Sequence, residues 1–315
     1  MGTTALGIML VFVGLEWGFA WFNGRTWYRF EDGLSNLGCA LLSMVAHVFF
    51  LWGFVSVYSQ VHQSVSVSIP WFLQWGIGLV FTDLIYYWVH RLSHGCWLLW
   101  AIHVVHHQSE RFNLSVGTRH GILWPLVLLP FYLPLAWLVS PAVLLICLLF
   151  HSVFQVLIHV EWVKSLPYLE GILVTPSLHR VHHARNPGYL DRNFGGTFIV
   201  WDSLFGTKKG EDEACIFGLT KPMTSWNPVE ANYFGFRELI RNLRKFPGHR
   251  WSMTFSPPGW RPGGVQKMKP SLKRPEFALT LSMRDRALFV FLVILGAAAA
   301  FALFQAVGFK SFQPI

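Results

Sequence analysis

Long apolar runs constrain this chain more than any other feature. A helix needs roughly 20 mostly apolar residues to cross a bilayer, and residues 4–22, 36–58, 70–89 and 287–308 each supply such a run. Residues 121–160 form a longer apolar block interrupted by Pro125, Pro130, Pro134, Ser140 and Pro141. It reads as two segments joined near Pro141, a hairpin that crosses twice or only dips in. Charged residues make up 13% of the chain and hydrophobic residues 53%, whereas about 25% charged is usual in globular proteins. The fold class expected is therefore an all-α integral membrane protein, a bundle of four to six transmembrane helices. No Lys or Arg precedes the first run, and it carries Glu16 and Trp17, so it reads as a retained span rather than a cleaved signal.

The net charge of +9 could point to nucleic acid, but its distribution favours a membrane. Of the 25 Lys and Arg, 19 lie between Glu161 and Arg286, in the one long polar region. Cytoplasmic segments are rich in these residues. Residues 59–69 have neither, while residues 22–35 carry Arg25 and Arg29. The multi-pass reading places the N-terminus and residues 59–69 outside and the polar region in the cytoplasm, with no nucleic acid as partner. Cys39, Cys96, Cys147 and Cys215 are scattered without metal or redox spacing. Residues 244–286 are rich in Lys, Arg, Pro and Gly and read as irregular chain along the membrane surface. The division expected is a catalytic domain over 1–286, with a motif core at about 30–210 and a cytosolic surface segment at about 211–286, followed by a C-terminal span and tail over 287–315.

Eight of the 14 histidines fall into three tight groups: His90 with His94, His103 with His106 and His107, and His179 with His182 and His183. Helical residues three or four apart share a face, so each group can aim its rings at a common centre. Imidazole suits iron, zinc, copper or nickel. Eight or more ligands exceed what one ion accepts, so two ions are expected. Structural zinc takes four ligands and catalytic zinc three plus water, and haem needs one or two, so a di-iron site fits the number best. His159, at the end of the apolar hairpin, is the additional ligand expected. His120 and His151 are weaker candidates, while His47, His62 and His249 read as structural or exposed. Asp83, Tyr87, His90 and His94 form one helical stripe. An acid inside an apolar span is a functional candidate by default, and Asp83 is expected either to orient a ligand histidine or to pair with Arg91 or Arg119.

At these residues the chain resembles the fatty acid hydroxylase and sterol desaturase superfamily. The likeness runs through DLIYYWVHRLSH, WAIHVVHHQSERFNLSVGTRH and TPSLHRVHHARNPGYLDRNFGGTFIVWDSLFGT. The HHQSERFN segment and the NPGYLDRNFGG…WDSLFGT tail are most similar to the alkylglycerol monooxygenase branch. The resemblance implies a helical membrane fold with a cytosolic cap over two iron ions, and hydroxylation or desaturation of a lipid by molecular oxygen. It implies His90, His94, His103, His106, His107, His179, His182 and His183 as ligands, with His159 added. Glu110, Asn113, Asn186 and Asp191 are further candidates near the metal or substrate, against plain capping or turn chemistry; Arg119, Tyr189 and Asn193 stand beside them. Tyr86, Tyr87, Trp88, Trp97, Trp100 and Trp201 suit a membrane interface.

With no flavin or nicotinamide fingerprint in the sequence, an external electron donor is expected: a ferredoxin, a cytochrome or, for the ether-lipid branch, tetrahydrobiopterin. Two other classes stay open at this point. A membrane zinc hydrolase would work without oxygen, and a metal transporter or sensor would line a pore with its histidines.

Overall fold

Three long helices frame the molecule: α1 (Gly2–Phe22), α2 (Phe30–Val65) and α3 (Trp71–Gly95). The computed structural model describes residues 2–221 and 223–265, together with 282–284 and 287. The run expected at 287–308 therefore falls almost wholly outside the described residues. Described secondary structure is helical apart from a small hairpin pairing Trp260–Arg261 with Gly264–Val265.

Glu16, inside the first apolar run, explains how α1 is fixed. Its buried carboxylate accepts hydrogen bonds from Tyr28 Oη (2.6 Å), the Leu114 amide (2.9 Å) and Trp162 Nε1 (3.0 Å). One acid thus ties α1 to three later segments. Trp17 stacks on Tyr28 at 4.7 Å and lies over Gly33, where a Cβ would come within 2.6 Å of the indole.

α2 is 36 residues long and outruns the expected 36–58 at both ends. At 1.5 Å per residue it extends about 54 Å, well beyond the roughly 30 Å of a bilayer core. Its first turns are buried and polar, with Asp32, Ser35 and Asn36 inside the protein. Among the described helices α2 alone is long and apolar enough to cross a membrane by length and composition. Shorter apolar helical stretches cover Met9–Phe22, Trp124–Trp137 and Pro141–Leu157.

The apolar hairpin breaks where its prolines require. After α4 (Trp97–His103), α5 (Leu114–Gly117) and α6 (Trp124–Leu128), residues Leu129–Trp137 wind as a 3₁₀ helix carrying Pro130 and Pro134. Proline lacks the amide an α-helical turn needs. Pro141 then opens α7 (Pro141–Leu157) at its first position, where no amide is required. This hairpin packs Leu129, Tyr132, Leu135 and Leu144 against Phe54 and Tyr58 of α2. Tyr58 donates to the Val139 carbonyl at 2.8 Å, and His62 Nδ1 lies 2.7 Å from the Ala136 carbonyl.

Over one end of this frame lie α8 (Pro176–His183), α9 (Val200–Leu204), α10 (Pro228–Lys245) and α11 (Arg250–Phe255). Within the stretch expected to be irregular, α11 is helical and buries Met253 against Trp97 and Leu239. α10 reaches α4 through Gly235, where a Cβ would meet Ala101 Cα at 2.5 Å. Gly235→Val is expected to destabilise the protein by about 1–3 kcal/mol through overpacking, seen as a lower midpoint in thermal unfolding. An unchanged midpoint would mean that the approach of α10 to α4 is loose.

Candidate metal centre

The last two turns of α3 carry His90 and His94, as the sequence spacing requires. The second motif departs from a regular helix: α4 ends at His103, and the His106 and His107 amides bond to the carbonyls of His103 (2.9 Å) and Val104 (3.0 Å) in a tight turn. The third motif is α8, begun by Thr175, whose hydroxyl accepts from the Leu178 amide, and by Pro176. His159 follows the end of α7.

These elements bring nine buried histidines together in two groups: His90, His94, His103, His107 and His182 in one, and His106, His159, His179 and His183 in the other. Within each group one nitrogen per ring lies within 4.8 Å of every other. Each HxxHH motif is divided between the two. Residues four apart (103 with 107, 179 with 183) stay together, and the intervening residue (106 or 182) turns to the other group.

The nitrogens themselves show how the rings are set. Backbone carbonyls hold Nδ1 of His90 (Phe194, 2.8 Å), His106 (Arg119, 2.8 Å), His159 (Gln155, 2.6 Å) and His182 (Arg192, 2.8 Å). A carbonyl only accepts, so each of these Nδ1 atoms carries the proton and Nε2 keeps its lone pair. The Nε2 atoms then face one another: His90 to His103 at 3.0 Å, His103 to His107 at 3.1 Å, His159 to His179 at 3.0 Å and to His183 at 3.1 Å. The buried Nε2 atoms of His94 and His182 have no hydrogen-bond partner. Burial, reinforced by the neighbouring imidazoles, pushes His103, His106, His107, His179, His182 and His183 well below the ordinary histidine value. His159 is lowered to about 3. Uncharged imidazoles with converging lone pairs are what a cation requires.

The number of donors also bears on the ions: five imidazoles in one group and four in the other exceed what one ion accepts, so the donor set fits two.

Of the other candidates, Asp191 touches the site. Its Oδ1 lies 3.3 Å from His94 Nδ1, although the Asp191 side chain is 70% exposed, and its backbone has φ +57°. Asp83 sits elsewhere than expected. Its carboxylate accepts from the amides of Thr197 (2.6 Å) and Phe198 (2.9 Å) and from Trp201 Nε1 (2.8 Å), and it faces His151 Nδ1 at 3.2 Å. The histidine it orients is therefore His151, which lies in neither group, and neither Arg91 nor Arg119 is its partner. Arg91 bonds Tyr87 Oη. Asn113 caps α5 through the Ser115 amide, and Asn186 holds the 214–216 segment through the Ile216 amide and Ala214 carbonyl. Asn193, at φ +54°, bonds Leu178 and Lys209, and Tyr189 accepts from the Asp212 and Glu213 amides. His120 stacks on His106 at 5.1 Å without joining a group. Glu110 lines a small cleft beside Asp32, Arg119 and Arg185. Burial and the nearby Asp32 raise its carboxyl to about 7.

Sequence reasoning missed Asp202, which accepts from the Phe194 and Gly195 amides (both 2.7 Å) and from Thr207, and so sets the carbonyl that holds His90. It also understated Arg119, whose guanidinium bonds Val105 O, Ser35, Asn36 and Gln108. An internal arginine just after a histidine motif was the available signal. Of the presumed interface aromatics, Tyr86 lies against His90 (5.1 Å), Trp100 against His94 (4.9 Å), and Trp97 is buried. Tyr86 and Trp100 thus wall the site, while Trp97 packs against Leu239 and Met253.

Residues 75–207, which hold all three histidine motifs and His159, match the fatty acid hydroxylase family model. The chain carries a fatty acid hydroxylase domain. Along a greater length it is similar to alkylglycerol monooxygenase from Homo sapiens, 34% identical over 82% of this chain and 58% of that protein. The Xenopus tropicalis protein of the same name is 35% identical over 85% and 60%. An ornithine lipid hydroxylase from Rhizobium tropici is 31% identical over 44% of this chain and 42% of its own. The chain spans about three fifths of the length of the two alkylglycerol monooxygenases. No solved structure matches it.

Within this hydroxylase domain His94 is held by an exposed carboxylate, where His90 and His182 are held by carbonyls. Asp191→Asn is expected to weaken metal binding by the five-histidine group about 10–100-fold, measured by chelator competition; unchanged affinity would show that the carboxylate holds nothing. Unfolded histidines take up protons near pH 6.5, while the lowered folded values delay uptake. Metal-free protein should therefore lose stability as pH falls below about 6.5. Thermal unfolding at about pH 7.5 and 5.5 measures this, and a midpoint that rose on acidification would contradict neutral imidazoles.

Proposed function

We propose that this protein is a multi-pass membrane oxygenase that uses two iron ions and molecular oxygen to hydroxylate or desaturate the hydrocarbon part of a lipid. The observation that carries this reading is the pair of buried all-histidine groups inside a fatty acid hydroxylase domain. The nine clustered histidines would hold the ions, His90, His94, His103, His107 and His182 around one and His106, His159, His179 and His183 around the other. Iron bound there would supply the oxygen activation and single-electron chemistry that an unactivated C–H bond demands and ordinary side chains lack. A zinc hydrolase fits less well, since catalytic zinc takes three protein ligands plus water and structural zinc four, fewer than the nine imidazoles gathered here. A transporter fits less well too, because the nine rings share one buried cluster.

The protein's own part is to orient and to exclude water. Carbonyls from the connecting segments fix the ligand rings. Phe112 stacks on His159 at 5.3 Å, Phe194 lies 5.2 Å from His94, and Trp124 lies 4.9 Å from His103, so aromatic rings pack around the histidines. The site lies at the end of α3, and in this reading a lipid carbon would reach it from the apolar side of that helix. We place this end on the cytoplasmic side with the Lys- and Arg-rich segment.

Similarity to alkylglycerol monooxygenases makes ether lipids the first substrates to test. Hydroxylation of the carbon next to an ether oxygen would give a hemiacetal that falls apart. The reductant would come from outside the chain, tetrahydrobiopterin for an ether lipid or a ferredoxin or cytochrome otherwise.

Purified protein is expected to carry about two irons per chain and, with reductant and oxygen, to add one oxygen to a lipid or remove two hydrogens from it, read by lipid mass spectrometry. His106→Ala and His182→Ala should each abolish turnover while membrane insertion persists. Full activity with a single zinc and no oxygen would falsify the proposal.

A further inference from the structure

α10 carries an outer face that the site does not use. Its inner face buries Ala231, Phe234, Gly235 and Leu239. On the opposite side Val229, Tyr233 and Ile240 are 50%, 67% and 47% exposed. At 100° per residue they fall, with Arg244, within about 60° of one another, forming one stripe. α11, packed beside α10, exposes apolar side chains of its own, Trp251, 80% exposed, stacked on Phe255, 58% exposed. Arg237, Arg241, Arg244, Lys245 and Arg250 are exposed along the same two helices, and Glu238 is already engaged by Lys221 and Arg241.

A helix with one face seated on protein and the other bearing aromatic and aliphatic side chains beside cations has the composition of an interfacial segment. Trp and Tyr favour the headgroup level, and each Lys or Arg near an anionic surface gains about 1 kcal/mol. An acidic protein partner would complement the charges, but aromatic and aliphatic side chains set beside cations match the boundary between the headgroups and the apolar interior of a bilayer. We propose that the outer face of α10 and α11 lies on the headgroup region of an anionic bilayer, holding the metal-bearing cap at the lipid surface. The proposal rests on the membrane reading above and concerns a separate surface from the metal site.

The test uses the full chain reconstituted in nanodiscs of phosphatidylcholine with or without phosphatidylglycerol. An environment-sensitive fluorophore is placed on Ile240→Cys or Trp251→Cys, with Trp52→Cys, on the exposed side of α2, as the control for insertion and Asp212→Cys as the control for open solvent. Wild-type labelling supplies the background of the native cysteines. Lipids carrying a nitroxide near the headgroup are expected to quench positions 240 and 251 severalfold more than position 212. That quenching should be stronger with phosphatidylglycerol and weaker in Arg241→Glu/Arg244→Glu. Free access of a water-soluble quencher to 240 and 251, with no lipid quenching there, would overturn the proposal. So would shielding of both positions that persists in detergent without lipid, which would mean that another part of the chain covers the face. Quenching at position 52 by deep nitroxide lipids separates these failures from a failure of the membrane reading, in which position 52 would also escape quenching.

Discussion

Nine buried imidazoles drawn into two groups, with nitrogens of neighbouring rings 3.0–3.1 Å apart, are the constraint on which the rest of the structure depends. Burial, with the neighbouring imidazoles, disfavours their charged forms. Much of the surrounding polar structure holds the rings in this arrangement. The carbonyls of Phe194, Arg192, Arg119 and Gln155 fix four of the rings by their far nitrogens, and two of these residues are themselves held. Asp202 grips the Phe194 amide, and the Arg119 guanidinium bonds two side chains of α2 and the Val105 carbonyl. The orientation of these rings is thus set largely by backbone, which leaves them little play.

Buried acids do the joining. Glu16 ties α1 to the α5 start and to Trp162, and Asp83 ties α3 to the 197–201 segment. Each accepts three or more hydrogen bonds, which offsets the cost of placing a carboxylate in apolar surroundings. Asp83 and Asp202 brace opposite ends of the short Phe194–Trp201 stretch, whose first carbonyl orients His90. An acid in an apolar run therefore acts here through the backbone it arranges.

The left-handed residues Asp191 and Asn193 serve the same end. Asn and Asp tolerate positive φ better than other side chains, and the two turns allow the 184–195 segment to fold back over α8. Asn193 then bonds the Leu178 carbonyl of that helix, while Asp191 reaches His94 across the opening. A stretch that reads as Gly- and Pro-rich turn chemistry is in this way also part of the enclosure of the site.

Legible in the sequence were the helical class, the apolar runs near α1, α2 and α3, and the break of the hairpin at its prolines, because hydrophobic period and the missing proline amide act locally. The nine histidines that meet were legible too, since few other constraints place imidazoles at such spacing. Tertiary structure alone decided which ring joins which group, that the second motif leaves its helix after His103, and that Asp83 faces His151. Those outcomes depend on contacts between residues such as Asn36 and Arg119, 83 positions apart, or Asp83 and Thr197, 114 positions apart. Nothing in the local chain encodes such pairings; they arise when packing removes water and leaves each buried polar atom to find whatever partner the fold has brought within reach.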